Sequence, residues 1–325
     1  MTVTSIKKNS ELTIKGVFAL VILLHHFTTS LSSVPIYMKW MEYIAFPIVG
    51  VFFFFSGYGL SSGLLSRNNY LNGFLAKRFS KILLPFISVT LFSMLIFSVI
   101  CEKFVNTFSI HVVPQYWFIY VILAVYLVFY LIFRLLPVKK GVWVLFTVTV
   151  VYIGVSVFFN PLRNEMYASI IAFPLGVFFK YNEDRVNYFY SKGFLGKFII
   201  QSILFFTLFS IRLFVAYQGI DNLILHTVLR NTITTLFVWL IALVAQRLNI
   251  NGRILLLLGS ISYYIYIIHP ILIKLYLLFV VPKNTKELVV MILTVLCLTL
   301  VLSYLLHCVF SKILSNGGNK NGKEA

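Results

Sequence analysis

Long apolar stretches separated by short polar segments run along almost the whole chain. Most stretches contain about 20 residues, the number that an α-helix needs to cross the apolar core of a bilayer. The pattern therefore predicts an all-α, polytopic membrane protein, a bundle of about ten transmembrane helices. The predicted spans cover residues 12–31, 42–64, 82–101, 116–136, 141–159, 165–180, 198–217, 224–246, 254–274 and 288–311.

Charged residues are few, and they lie mainly between the predicted spans. Only 11% of the 325 residues are charged, whereas an average globular protein has about 25%. Most of the 27 Lys and Arg residues fall in alternate connecting segments, which the positive-inside rule assigns to the cytoplasm together with both termini. This distribution explains the net charge of +18 without nucleic acid binding and favours a multi-pass protein of the plasma membrane.

The domain organisation follows from the same pattern. Residues 1–314 are expected to form one transmembrane domain, and residues 315–325 a polar, Gly-rich, disordered cytoplasmic tail. The three Cys residues fall within or at the ends of apolar runs without a CxxC pattern, so they predict neither a disulfide framework nor a metal site. No internal repeat is evident, which weighs against the inverted-repeat transporters.

The first predicted span places ionisable side chains where they are costly. Its central stretch, KGVFALVILLHHF, begins at Lys15 and includes the adjacent residues His25 and His26, with only apolar or small residues between. At about 1.5 Å per residue, Lys15 and His26 are about 16 Å apart along the helix, half the thickness of a bilayer. Ionisable residues at this depth usually serve a function, so the span predicts a site.

Four stretches, in order along the chain, are similar to the motifs of one enzyme family. They are KGVFALVILLHHF in the first span, GVFFFFSGYGL in the second, KRFSKILLP at the third and SYYIYIIH in the ninth. Together they resemble the family-3 integral membrane acyltransferases, which move acyl groups, usually acetyl from acetyl-CoA, to sugars at or beyond the membrane. The family usually has Arg at the position of Lys15.

The resemblance implies a membrane O-acyltransferase that modifies a cell-surface sugar or polysaccharide, such as a capsule or an exopolysaccharide. Acetyl-CoA, or another acyl-CoA, would be the donor substrate, and no bound cofactor or metal is implied. The expected partners are membrane lipid, the acyl-CoA and the sugar acceptor. Acetyl and succinyl both remain open as the acyl group.

The resemblance also implies roles for residues within the motifs. His26 and Lys15 would be catalytic, with the neutral imidazole of His26 taking the proton of the sugar hydroxyl. His25 points about 100° away from His26 around the helix, so it is expected to pack or hydrogen-bond beside it. Arg78 and Lys81 would bind the phosphates of the donor, although alone they could be positive-inside anchors.

Three further residues would contact the acceptor: Ser56 in the second span, and Tyr266 and His269 in the ninth. Ser56 lies among small residues that could serve only close helix packing, and His269 could be a satisfied core histidine. Tyr266 precedes His269 by three residues, so both side chains should share one helix face. Tyr116, at the start of the fourth span, is expected to belong to the interfacial aromatic belt.

Other features allow more than one interpretation. His226 and Arg230, one turn apart in the eighth span, and Arg212 in the seventh could be snorkelling headgroup anchors, which we favour, or could line a path for an anionic sugar. Glu183, in the polar segment 181–197, is expected to be solvated.

The main alternative function is an exporter or flippase of a lipid-linked or polymeric sugar, in which the histidines would serve proton coupling or sugar contact.

Overall fold

The computed structural model describes residues 5–31, 38, 40–101, 116–159, 161–248 and 252–320. Within these ranges the regular elements are all helices, which confirms the all-α prediction, and nine of the helices are long and apolar enough to cross a membrane. The helices are α1 (Lys8–Ser30), α2 (Met41–Ser66), α3 (Phe74–Cys101), α4 (Trp117–Leu135), α5 (Val138–Phe159), α6 (Ala172–Tyr181), α7 (Glu183–Ser191), α8 (Phe194–Tyr217), α9 (Leu223–Arg247), α10 (Arg253–Phe279) and α11 (Thr285–Lys320).

The sixth predicted span, 165–180, is not a continuous helix. The chain here forms a 3₁₀ segment, Pro161–Met166, then a bend, and then α6. The ten residues of α6 extend for about 15 Å, half the thickness of the apolar core of a bilayer. Hydropathy alone predicts a full span here because the bend lies inside a mostly apolar run.

This broken segment nevertheless follows α9 along most of its length. Two contacts at successive levels of α9 show this: Asn164 with Arg230, and Phe179 with Trp239. They extend over nine residues of α9, or about 14 Å. A tenth crossing by this segment, and the location of both termini in the cytoplasm, stay predictions.

Glycines allow α2 and α6 to pack with their backbones in contact. A Cβ atom on Gly57 would lie 2.2 Å from the carbonyl oxygen of Phe173, and a Cβ atom on Gly176 would lie 2.0 Å from that of Phe54. Real Cβ atoms essentially never approach so closely, so both positions require glycine. Gly57, one of the small residues of the second motif, therefore serves close helix packing.

A buried carboxylate holds the N-terminal segment. Glu183, the first residue of α7, is 7% exposed and accepts hydrogen bonds from Ser5 (2.8 Å), Tyr58 (2.7 Å) and Lys180. The Tyr58 hydroxyl in turn accepts the N–H of Ile6. Burial raises the pKa of the Glu183 carboxyl, but the hydrogen bonds from Lys180, Tyr58 and Ser5 outweigh it, so that the pKa is lowered. The expectation that Glu183 is solvated is therefore wrong.

Contacts divide the chain into two compact units. The first unit contains Met1–Ile14, Tyr43–Leu75 and Val121–Asn251. The second contains Lys15–Glu42, Ala76–Tyr120 and Gly252–Ala325. Helix α11 continues to Lys320, and residues 321–325 lie outside the described ranges, so the domain end at 314 and the disordered tail stay predictions.

Candidate active site

Helices α1 and α10 touch at a pair of glycines in the second unit. A Cβ atom on Gly16 would lie 2.6 Å from the backbone nitrogen of Gly259. His26 follows Gly16 by ten residues, and His269 follows Gly259 by ten residues. The rings of the two histidines also meet, with their centroids 4.9 Å apart. The two helices therefore run parallel and level for about 15 Å, from the glycines to the histidines.

His269 presents a buried hydrogen-bond acceptor beside His26. Its Nδ1 atom lies 2.8 Å from the carbonyl oxygen of Ile265, one turn earlier in α10. Because a carbonyl oxygen can only accept, Nδ1 carries the proton of the neutral ring and Nε2 has the lone pair. The residue is 0% exposed, and Nε2 has no hydrogen-bond partner within the described residues. A satisfied core histidine would not leave this atom unpaired.

His25 occupies a supporting position. Its Nδ1 atom lies 3.0 Å from the carbonyl oxygen of Met41, the first residue of α2, and therefore donates to it. Its ring meets that of His26 edge-on, with the centroids 5.2 Å apart. The hydrogen bond holds the end of α1 against the start of α2, as expected for a neighbour that orients His26 by contact.

An aromatic cluster adjoins His269 through Tyr266. The ring of Tyr266 lies 6.2 Å from that of His269 and 5.6 Å from that of Phe118, so Tyr266 and His269 share one side of α10, as their spacing predicts. Tyr116 lies 6.2 Å from Tyr266, is 1% exposed and donates a 2.7 Å hydrogen bond to the carbonyl oxygen of Ile267. The expectation that Tyr116 belongs to an interfacial belt is therefore wrong.

The cations predicted to bind the donor lie toward the other end of the same helices. The hydroxyl of Tyr263 donates to the carbonyl oxygen of Ile82 at 2.6 Å. This bond places Lys81, one residue earlier in α3, close to the level of the glycine contact between α1 and α10. Lys15 directly precedes that contact in α1. Lys15, Arg78 and Lys81 therefore lie at one end of the second unit; Lys81 is exposed, and the other two are partly buried.

A comparison with protein families decides the class of the enzyme. The family model of an acyltransferase domain, family 3, matches residues 13–308. The chain belongs to the family-3 acyltransferases. Comparisons with curated proteins and with solved structures gave no match. The matched region includes both histidines of the pair and all seven predicted site residues, and the resemblance of the four motifs is confirmed.

The acyltransferase collects six of the predicted site residues in its second unit. Ser56 is the exception, because it lies on α2 in the first unit, where it is partly buried. Its neighbour Gly57 packs against the backbone of α6. A contact between Ser56 and the acceptor stays a prediction. The six residues of the second unit are Lys15, His26, Arg78, Lys81, Tyr266 and His269.

Two features of the acyltransferase site were missed from the sequence. Lys274, partly buried in α10, lies five residues after His269, and its charge acts on His26. The sequence did indicate Lys274, because a single Lys among the apolar residues of the ninth span is costly and usually functional. Gly16 was missed because its spacing to His26 gains meaning only when α1 is known to lie beside α10.

Proposed function

We propose that this acyltransferase moves an acetyl group from acetyl-CoA to a hydroxyl of a cell-surface polysaccharide, such as a capsule or exopolysaccharide, in the plasma membrane. The contact between His26 and the buried, half-satisfied His269 carries the proposal. Transfer to a hydroxyl needs a proton acceptor near neutral pH, and a neutral imidazole is the side chain best suited to it. Membership of an acyltransferase family supports this use of the pair.

In the proposed reaction, a ring nitrogen of His26 accepts the proton of the acceptor hydroxyl while the oxygen attacks the carbonyl carbon of the thioester. A tetrahedral intermediate forms, and its carbonyl oxygen carries the negative charge. The C–S bond then breaks, the ester carbonyl re-forms, and the thiolate of coenzyme A takes the proton from the imidazolium of His26. Each proton that enters the ring leaves it, so His26 returns to its neutral form.

The neighbouring groups have complementary roles in this proposal. The lone pair on Nε2 of His269 accepts the hydrogen bond of a sugar hydroxyl, and Tyr266 lies beside it to contact the sugar ring. Lys274 supplies positive charge near His26, where the tetrahedral oxyanion develops. His25 holds α1 in place through Met41 and takes no part in proton transfer.

The donor would lie along the second unit, between the cations and the histidines. Phosphate groups require Arg or Lys, and the end of the unit that carries Lys15, Arg78 and Lys81 offers both. The histidines lie about 15 Å further along the helices. Coenzyme A suits this separation because a long flexible arm joins its phosphates to its thiol.

The test is to replace His26 and to measure the polymer and its acetylation in the same cells. His26→Ala should lower O-acetylation by about 10²–10⁴-fold, the usual contribution of a general base. The abundance of the protein in the membrane and the amount of surface polymer should not change. NMR of the purified polymer measures the acetyl content, and immunoblotting measures the protein.

His226→Ala is the matched control, since His226 lies at the start of α9 in the first unit and its Nε2 atom bonds the carbonyl oxygen of Ile220. It should leave acetylation unchanged, and His25→Ala should have a milder effect than His26→Ala. An exporter would give the opposite pattern, with polymer missing from the surface and its acetyl content per sugar unaltered. Full acetylation in His26→Ala cells would refute the proposal.

A further inference from the structure

Two arginines lie inside the membrane-spanning helices of the first unit. Arg212 is five residues from the end of α8, and Arg230 is seven residues from the start of α9, which corresponds to depths of about 8 and 10 Å along the helices. Arg212 is only 5% exposed. A snorkelling residue extends its guanidinium toward water, so the expectation that Arg212 snorkels is wrong.

The two guanidinium groups lack an acidic partner among the described residues. They lie close enough to repel each other. Arg212 stacks on the rings of Tyr43 and Phe46, at 5.4 and 4.7 Å from their centroids, and Arg230 donates to the neutral side chain of Asn164. Cation–π contacts and one amide do not neutralise the buried charge of Arg212 and the partly buried charge of Arg230.

The nearest carboxylate does not change this balance. Glu165 attracts Arg230, but it is itself paired with Arg163 at 2.5 Å. Three arginines and one glutamate therefore give this cluster a net charge of +2. Unpaired charge inside a membrane protein is costly to maintain and usually marks a binding site.

Several buried polar atoms around the arginines are also unpaired. Nε and Nη1 of Arg212, Nε of Arg230, the hydroxyl of Tyr167 and Oδ1 of Asn231 have no hydrogen-bond partner in the described part of the chain. Tyr167 is 1% exposed and accepts a hydrogen bond at its carbonyl oxygen from Asn231. Most buried polar groups in proteins are paired, and four of these five atoms can donate, so the group that completes the cluster is an acceptor.

We propose that Arg212, Arg230 and the Tyr167 hydroxyl bind the phosphoryl group of a lipid or of a lipid-linked sugar. Guanidinium groups match the oxygens of a phosphoryl group through paired, charge-assisted hydrogen bonds. A dianion or monoanion also offsets the repulsion between the two arginines. The depth of the site, one to two helix turns inside the helix ends, suits a phosphoryl group that is joined to a chain in the membrane. This inference does not depend on the proposed acetyl transfer.

The test uses the full chain, purified in a phosphate-free maltoside detergent. Inorganic phosphate should raise the thermal unfolding temperature of the wild type above its value in chloride at equal ionic strength, because ligand binding stabilises the folded state. Arg212→Met should weaken phosphate binding by about 10- to 100-fold, as expected for the loss of hydrogen bonds to a charged group. Arg230→Gln is the second variant and should have the same effect.

Arg247→Met is the matched control. Arg247 lies at the opposite end of α9, where it stacks on Phe194 at 3.4 Å and bonds the carbonyl of Leu243, so its replacement should leave the phosphate effect unchanged. Native mass spectrometry with phosphatidylglycerol, and separately with glucose 1-phosphate, identifies the source of the phosphoryl group. Retention of either ligand by the wild type and its loss in Arg212→Met would support the site.

Two results would overturn the proposal. One is a wild type that gains no stability from phosphate and retains neither ligand better than Arg212→Met does. The other is an Arg212→Met protein that is equally destabilised with and without phosphate, because this would assign Arg212 a packing role on Tyr43 and Phe46 alone.

Discussion

The contact between Gly16 and Gly259 gives a quantitative test of the active-site geometry. In Gly16→Ala, the new Cβ atom would lie 2.6 Å from the nitrogen of Gly259 and 2.8 Å from the Cβ atom of Leu258, whereas ordinary contacts begin at 3.4 Å. Because backbone atoms cannot rotate away, α1 must move by about 0.8 Å. Displacements of about 1 Å at a reacting centre can lower rates by about 10²-fold, and we expect a loss of this size in kcat.

The fold should survive this substitution. Overpacking by one methyl group costs about 1–3 kcal/mol, which is less than the usual stability of a protein, about 5–15 kcal/mol. The assay compares the initial rate of acetyl transfer per molecule in membranes of matched protein content. Gly154→Ala is the control, because a Cβ atom on Gly154 in α5 meets nothing within 4 Å; it should keep the wild-type rate.

The outcome would separate two views of the site. A strong loss of kcat with normal abundance means that the register of α1 and α10 positions His26 against its partner. Wild-type activity in Gly16→Ala would refute the reasoning, because the histidines would then tolerate a shift of the helix that carries one of them.

The remaining predictions concern the donor, the topology and the N-terminal segment. Replacing Arg78 and Lys81 by Ala should raise the KM for acetyl-CoA and leave the KM for the acceptor unchanged. If the variant and the wild type have the same KM for acetyl-CoA, the two residues serve only as topological anchors. Reporters fused within 181–197 should read cytoplasmic and those within 103–112, outside the described residues, external; a cytoplasmic reading of the latter would contradict ten crossings. Glu183→Gln should lower the free energy of unfolding by about 3 kcal/mol at pH 7. Folding lowers the pKa of the Glu183 carboxyl, so its contribution to the free energy of unfolding is present above the unfolded pKa of about 4.3 and is lost as the pH falls through the folded pKa. The unfolding temperatures of the wild type and Glu183→Gln should therefore converge at low pH. A constant difference between them down to low pH would contradict this account.

The spans could be predicted because membrane helices are coded by length and apolar composition, which a sequence shows directly. Length and apolar composition were not sufficient to predict the structure of the sixth span. Its break after Met166 depends on backbone hydrogen bonds and on packing against α2 and α9, and an apolar run gives no sign of either. The prediction that Glu183 is solvated was wrong for a related reason, because its hydrogen-bond partners Ser5 and Tyr58 are far away in sequence.

The candidate site was only partly accessible from the sequence. The family motifs identified His26 and His269 separately, but the two residues are 243 positions apart, and no local pattern states that their rings meet. The burial of Arg212 was equally hidden, because it depends on Tyr43 and Phe46, which come from another helix. Local periodicity shows which residues share a face, and it does not show what that face contacts.

The geometry of α1 indicates different roles for Lys15 and His26. The eleven steps along the helix from Lys15 to His26 correspond to about 16 Å, a distance that no single reacting centre can bridge. Only one of them can therefore contact the atoms that exchange the acetyl group, and the contact with His269 favours His26. Lys15 lies beside the glycine contact, at the end of the unit that carries Arg78 and Lys81. We therefore propose that Lys15 binds the phosphate end of an extended donor and has no direct role in catalysis, and that the spacing between Lys15 and His26 matches the length of that donor.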